Sequence, residues 1–82
     1  MKRIAIIALI VSDREAAEAI NGLLHEYGEH IVGRMGVPCR ERGINLISVA
    51  MDAEQDVISA LAGKLGRLPG VSSKTVYAPE EH

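Results

Sequence analysis

The feature that most constrains the fold is an internal echo. When Ile4 is set against Ile44, Val11 falls on Met51, Ser12 on Asp52 and Glu15 on Gln55, so the two halves of the 82-residue chain share one pattern. Each half opens with an apolar run of strand length and passes into a stretch with apolar residues at helical spacing. Ile4-Ala5-Ile6-Ile7-Ala8-Leu9-Ile10-Val11 is continuous and largely β-branched, the signature of a strand buried on both faces. The run from Ile44 to Met51, apolar apart from Asn45 and Ser48, reads as the matching strand. Ser12 with Glu15 reads as a capping box that opens the first helix, and Asp52 with Gln55 as its counterpart in the second. The first helix would bury Ala16, Ala19, Ile20, Leu23, Leu24 and Tyr27, the second Val57, Ile58, Leu61, Ala62 and Leu65. Gly28 and Gly66 stand where left-handed caps would end them, and Lys64 and Arg67 suit the negative end of the second.

From His30 the period changes to two. Ile31, Gly33, Met35, Val37 and Cys39 fall on one side, His30, Val32, Arg34 and Gly36 on the other. Pro38 assigns this strand to a sheet edge, because proline cannot donate to a ladder on both sides. Arg40-Glu41-Arg42-Gly43 is the expected turn, with Gly43 free to take a positive φ. Leu68-Pro69-Gly70 is a second turn, and Val71 to Tyr77 a fourth strand. The elements make a pseudo-symmetric α+β domain of the βαββαβ type. Right-handed crossovers then give a four-stranded antiparallel sheet in order 4-1-3-2 with both helices on one face. The expectation is a single domain over residues 1–78 and a flexible C-terminal tail over residues 79–82.

Composition narrows the function classes. Hydrophobic residues are 48% of the chain but the only aromatics are two tyrosines, so the core must be aliphatic. A net charge of −2 and the scarcity of aromatics argue against direct nucleic-acid binding. The solitary Cys39 excludes an internal disulfide framework and suits a reducing, cytoplasmic setting. Lys2-Arg3 followed by an apolar run resembles a short signal peptide, yet no small-x-small cleavage site follows. The run is also far shorter than the roughly 20 residues of a membrane helix, so no membrane partner is expected.

Two helices cover one face of such a sheet, yet the first strand is apolar on both. Ile4, Ile6 and Ile10 fall on one side, and Ala5, Ile7, Leu9 and Val11 on the other. The expected cover for the second face is another copy of the chain, giving a homodimer or homotetramer through the open sheet face. The sequence holds no nucleophile with a base, no phosphate loop and no paired carboxylates at a defined cleft, so neither catalysis nor a cofactor is expected. Ser12, Asp13 and Arg14, in the turn after the first strand, are candidates for a small polar ligand. Gly33, Arg34, Gly36 and Pro38 are candidates for a subunit interface or pocket, since a glycine-rich edge lets other backbone or a ligand approach closely. Arg34, Arg40 and Arg42, with Glu41, are candidates for an anion or a partner, a solvated hairpin tip being the commoner explanation. His25, His30 and Cys39 are the metal candidates, and weak ones. Residues 30 and 39 of a regular strand face opposite sides, so a single-chain chelate needs a bulge and no metal is expected.

Several motifs in series also resemble one family. Arg3-Ile4-Ala5, Leu24-His25-Glu26-Tyr27-Gly28-Glu29, Gly33-Arg34-Met35-Gly36-Val37-Pro38, Gly43-Ile44-Asn45-Leu46-Ile47-Ser48 and Asp56-Val57-Ile58-Ser59-Ala60-Leu61-Ala62-Gly63-Lys64-Leu65-Gly66 resemble small bacterial regulators of the iron-only hydrogenase system. The likeness runs from about Lys2 to Tyr77. It implies a ferredoxin-like, ACT-like βαββαβ sandwich that oligomerises. The leading expectation is a non-enzymatic sensor or transcriptional regulator, with a small ligand at a subunit interface or a regulatory protein as partner. Two alternatives stand beside this: a protein-interaction subunit without ligand, and a metal sensor. The chain is also distantly similar to the C-terminal sensor domain of nickel-responsive repressors. There a histidine late in the first helix, a His-x-His on the second strand and a cysteine at the start of the third hold the metal. His25 matches the first, but Gly36-Val37-Pro38 replaces the His-x-His and Gly43 or Ile44 the cysteine, so that site does not carry over. Nor does the sequence include those repressors' DNA-contacting ribbon-helix-helix segment. Val11-Ser12-Asp13-Arg14 likewise lacks the Pro-Gly usual in amino-acid-binding ACT domains.

Overall fold

The computed structural model describes residues 1–79. The elements run β1 (Lys2–Val11), α1 (Ala16–Glu26), β2 (Ile31–Cys39), β3 (Ile44–Glu54), α2 (Gln55–Gly66) and β4 (Val71–Tyr77), with single 3₁₀ turns at Gly28–His30 and Arg40–Arg42. The strands form one antiparallel sheet in the order β2-β3-β1-β4. Both helices pack on one side of it, so the architecture is the expected α+β, ferredoxin-like one.

Alternation along the central strands decides where the core lies. Ala5, Ile7, Leu9 and Val11 of β1 and Val49, Met51 and Ala53 of β3 are buried against Ala16, Ile20 and Leu24 of α1 and Ile58, Leu61 and Leu65 of α2. Each large aliphatic side chain so buried stabilises the fold by about 1.5–3 kcal/mol, which is why the two most apolar strands take the centre. Pro38 lies on β2, which is an edge strand as the proline requires. Ala19, expected on the buried face of α1, is exposed.

The local signals at the helix ends are overridden by longer-range partners. Ser12 does not cap α1. Its backbone N–H and its Oγ both donate to the Gly70 carbonyl, at 2.8 and 3.1 Å. Asp13 takes over the turn: its Oδ1 accepts from the Glu15 N–H at 2.9 Å, and α1 starts at Ala16 with no side-chain cap. Asp52 does not cap α2 either, because β3 continues past it to pair Asp52 with Ile4, Ala53 with Arg3 and Glu54 with Lys2. Three further paired residues outweigh a cap that contributes about 1 kcal/mol. Gln55 instead accepts from the Arg3 guanidinium at 3.2 Å.

Neither Gly28 nor Gly66 adopts the left-handed conformation. Gly28 opens a 3₁₀ turn, while Gly66 remains within α2. Among the described residues only Gly43, as expected, and Gly70 have positive φ, at 68° and 75°. A bulge also alters β2. Ile31 pairs with Met51 but Gly33 with Ala50, so Val32 is an extra residue. Ile31 therefore sits on the helix side, not beside Met35 as strict alternation predicts, and Gly33, Met35, Val37 and Cys39 share the open side. At the C-terminal end the Ala78 N–H donates to the Ile4 carbonyl at 2.9 Å, and of the expected tail Glu80–His82 lie outside the described residues. Among the described residues no helix is long and apolar enough to cross a membrane.

Candidate functional site: the open face and the hairpin end

The sheet face away from the helices is apolar and uncovered. Ile4, Ile6 and Ile10 of β1 are about half exposed, at 50%, 47% and 49%. Register places them among neighbours that are exposed or half-buried: Ile6 lies between Ala50 and Val76, Ile10 between Leu46 and Ser72, and Leu46 beside Val37. Small residues hollow the centre. Gly33, Ser48 and Ala50, rimmed by Ile6, Arg34 and Met35, line a depression of about 330 Å³. A contiguous patch of this kind marks an interaction surface more often than scattered exposed aliphatics do.

A second concavity lies at one end of the sheet. β1 and β2 both run antiparallel to β3, so their C-terminal ends, the turn after β1 and the β2-β3 hairpin meet at the same end. There Arg14, Pro38, Cys39, Arg40, Gly43, Ile44 and Asn45 line a cavity of about 370 Å³. Four of the sequence candidates, Arg14, Pro38, Cys39 and Arg40, come together here, joined by Asn45. The strand order carries the signal for that meeting, because it fixes which loops are neighbours.

The other candidates separate. Ser12 and Asp13 line neither concavity; they tie the turn to Gly70 and to Glu15, and so hold the segment that carries Arg14. Gly33 belongs to the open face. Gly36 pairs with Ile47 on the helix side of the edge strand, and a Cβ added there would meet nothing within 4 Å. Arg34 borders both the open-face depression and a cleft of about 410 Å³ on the helix side, lined with Asn21, Leu24, His25, Gly28 and Ile31. His25 lies in that cleft, whereas the His30 Nε2 is 3.9 Å from the Glu29 carboxylate and Cys39 is a half-buried free thiol. Among the described residues no group of three or more His, Cys, Asp and Glu side chains is arranged to hold a metal.

Electrostatics distinguish these regions. Lys64 on α2 lies 3.6 Å from the Glu26 carboxylate and 5.0 Å from the centre of the Tyr27 ring, clipping the two helices together. Tyr27 above all, and after it Glu26, holds its ammonium above the usual 10.5 against the opposing effect of desolvation. Arg3 lies 4.6 Å over the Tyr77 ring and donates to the Ala78 carbonyl at 3.2 Å. Arg14 and Arg40 have no such partner among the described residues.

Over residues 3–75 the chain matches the model of the TM1266-like family, described as "Iron-only hydrogenase system regulator, putative". Among solved structures it is similar to the uncharacterized protein TM1266 from Thermotoga maritima. The two are 38% identical, the match covers 96% of this chain and 100% of that one, and the TM-score is 0.92. No curated protein matches the chain.

Proposed function

Because the chain belongs to the TM1266-like family of iron-only hydrogenase system regulators, we propose that it is a non-enzymatic regulatory module that works as a homodimer or homotetramer. In this reading it assembles through the open sheet face, holds a small ligand at a subunit interface and passes that signal to transcription, directly or through a protein partner.

The observation that carries the reading is the unpartnered apolar face. Ile4, Ile6, Ile10, Met35, Val37, Leu46 and Val76 are each between 41% and 66% exposed there. Covering the remaining half of such side chains contributes roughly 0.7–1.5 kcal/mol apiece, or about 5–10 kcal/mol per protomer and 10–20 for two. Association costs about 4–15 kcal/mol in lost translational and rotational freedom, so the face is large enough to support a dimer. The chemistry on offer also suits binding better than turnover. Guanidiniums, an amide and aliphatic walls line the concavities, and among the described residues the cavity at the hairpin end contains no nucleophile paired with a base.

Sedimentation velocity over a wide concentration range, with native mass spectrometry of the same material, tests the assembly. The expected result is a dimer or tetramer that dissociates only on dilution. A monomer at all concentrations would refute the reading.

A further inference from the structure

We propose that the cavity at the hairpin end of the sheet is an oxyanion site, taking a small organic acid or phosphate ester whose anionic group lies between Arg14 and Arg40. The inference rests on the ligand-binding reading above and names the class of ligand.

Charge is the first argument. Two arginines and no acidic residue line the cavity, in a chain whose net charge is −2. Neither arginine has an ion-pair partner among the described residues. Two like charges on the wall of one cavity repel each other, and an oxyanion between them turns that repulsion into two attractions. Guanidiniums suit this task because each can present paired N–H donors to a carboxylate or a phosphate.

The remaining walls describe the rest of the ligand. Asn45 is half-buried, and its side-chain amide makes no hydrogen bond among the described residues, so it is free to donate or accept. Pro38 and Ile44 offer apolar surface to a short carbon skeleton. At about 370 Å³ the cavity lies near the lower end of the roughly 300–1,000 Å³ typical of small-molecule sites. No aromatic lines it, which disfavours a stacked base or a nucleic-acid strand.

The site is also held in place before anything binds. Ser12 is fixed to the Gly70 carbonyl by two hydrogen bonds, and Asp13 closes its own turn on the Glu15 N–H, so the residue between Asp13 and Glu15 is presented from a braced loop. On the other wall Gly43, at a φ of 68°, turns the hairpin back with no side chain at the rim. Both features lower the ordering cost of binding.

The test is a titration of the full ¹⁵N-labelled chain, at low ionic strength, with citrate in one arm and glycerol 3-phosphate in the other. Expected are saturable shifts confined to the amides of Arg14, Cys39, Arg40, Gly43, Ile44 and Asn45; the probe that saturates at the lower concentration identifies carboxylate or phosphate as the preferred group. Arg14→Gln and Arg40→Gln should each weaken binding at least about tenfold, the scale of one charge-assisted hydrogen bond. Lys2→Gln removes the same charge at the opposite end of β1 and should leave the affinity unchanged. Non-saturating shifts, an equal loss in the Lys2 variant, or shifts gathered instead around His25 and Arg34 would overturn the oxyanion site. Sedimentation of the same samples keeps the two ideas separate. An assembled protein that fails to bind at this cavity sinks the site and leaves the oligomeric reading standing, whereas a monomer that binds here does the reverse.

Discussion

Replacing Gly70 with alanine probes the brace behind Arg14. Two effects add at this position. The backbone sits at a φ of 75°, where an L side chain costs about 1–2 kcal/mol. The new Cβ would also lie 2.5 Å from the Asp13 Cβ and 3.1 Å from the Asp13 nitrogen. The Asp13 backbone cannot swing aside freely, because neighbouring Ser12 is bound twice to the Gly70 carbonyl, at 2.8 and 3.1 Å. Overpacking against such a wall costs roughly 1–3 kcal/mol, so the total is about 2–5 kcal/mol. For a domain of this size, whose whole stability is roughly 4–12 kcal/mol, that is a large fraction. Gly43→Ala is the matched control, since Gly43 has a φ of 68° but a Cβ there meets nothing within 4 Å. Urea denaturation followed by circular dichroism, at one fixed protomer concentration so that assembly does not shift the midpoint, measures both variants. The Gly70 variant should be the less stable by about 1–3 kcal/mol, the steric part alone. Adding Asp13→Gly to Gly70→Ala, which removes the nearest atom, should recover part of that difference. If Gly70→Ala proves no more destabilising than Gly43→Ala, the claim that this contact braces the loop is refuted.

Three further outcomes follow from the same geometry. Ile6→Glu places a carboxylate in the middle of the open face, where it is 47% exposed in the single chain, so the fold should persist while an unpaired charge in the interface weakens association by several kcal/mol; sedimentation of the variant reads this, and unchanged assembly would argue against a face-to-face contact. Gly36→Val should leave unfolding stability within about 0.5 kcal/mol, since its Cβ enters open space on an edge strand, while sedimentation and ligand titration register any disturbance of assembly or binding; a larger loss of stability would contradict the open space around Gly36. Lys64 is held protonated above its usual 10.5 by Tyr27 and Glu26, so its stabilising contribution is complete below 10.5 and is lost as pH rises through the higher folded-state value. Lys64→Met should flatten that part of the alkaline unfolding profile, and an unchanged profile would count against the helix-to-helix clip.

Periodic signals in the sequence carried most of the architecture. The two-residue period of a strand divided Ile4 to Val11 into the two sets that the structure buries and leaves half exposed, and Pro38 placed its strand at the edge. Signals that act over a few residues fared worse, for a physical reason. Ser12 and Asp52 are good caps in isolation, but a cap contributes about 1 kcal/mol and competes with whatever the tertiary structure offers the same groups. The Gly70 carbonyl takes Ser12, and pairing with β1 takes Asp52. The bulge at Val32 was hidden because a β-branched residue fits a regular strand as well as a bulged one. The candidate site was legible only as far as topology reaches. Strand order brings the turn after β1 to the β2-β3 hairpin, but it does not show that Asp13 turns inward to its own loop while Arg14 borders the cavity.

The two surfaces meet along one row of residues. Cys39 pairs with Ile44 at the end of the β2-β3 ladder, in the register that puts Met35 and Val37 on the open face, and both also line the hairpin-end cavity. On the proposed reading, a second copy laid across the open face therefore comes to rest against one wall of the cavity, and a ligand between Arg14 and Arg40 sits beside the edge of the interface. Binding and assembly are then linked. An anion that binds the assembled form more tightly must strengthen assembly in return, by the product of the gains at the sites of the two protomers, because the coupling is reciprocal. Measuring the dimer dissociation constant with and without saturating citrate or glycerol 3-phosphate reads that factor directly. A typical coupling of about 1–3 kcal/mol would appear as a roughly 5–150-fold change in the constant. An unchanged constant, with binding intact, would show that the shared row transmits nothing and that any signal leaves the cavity by another route.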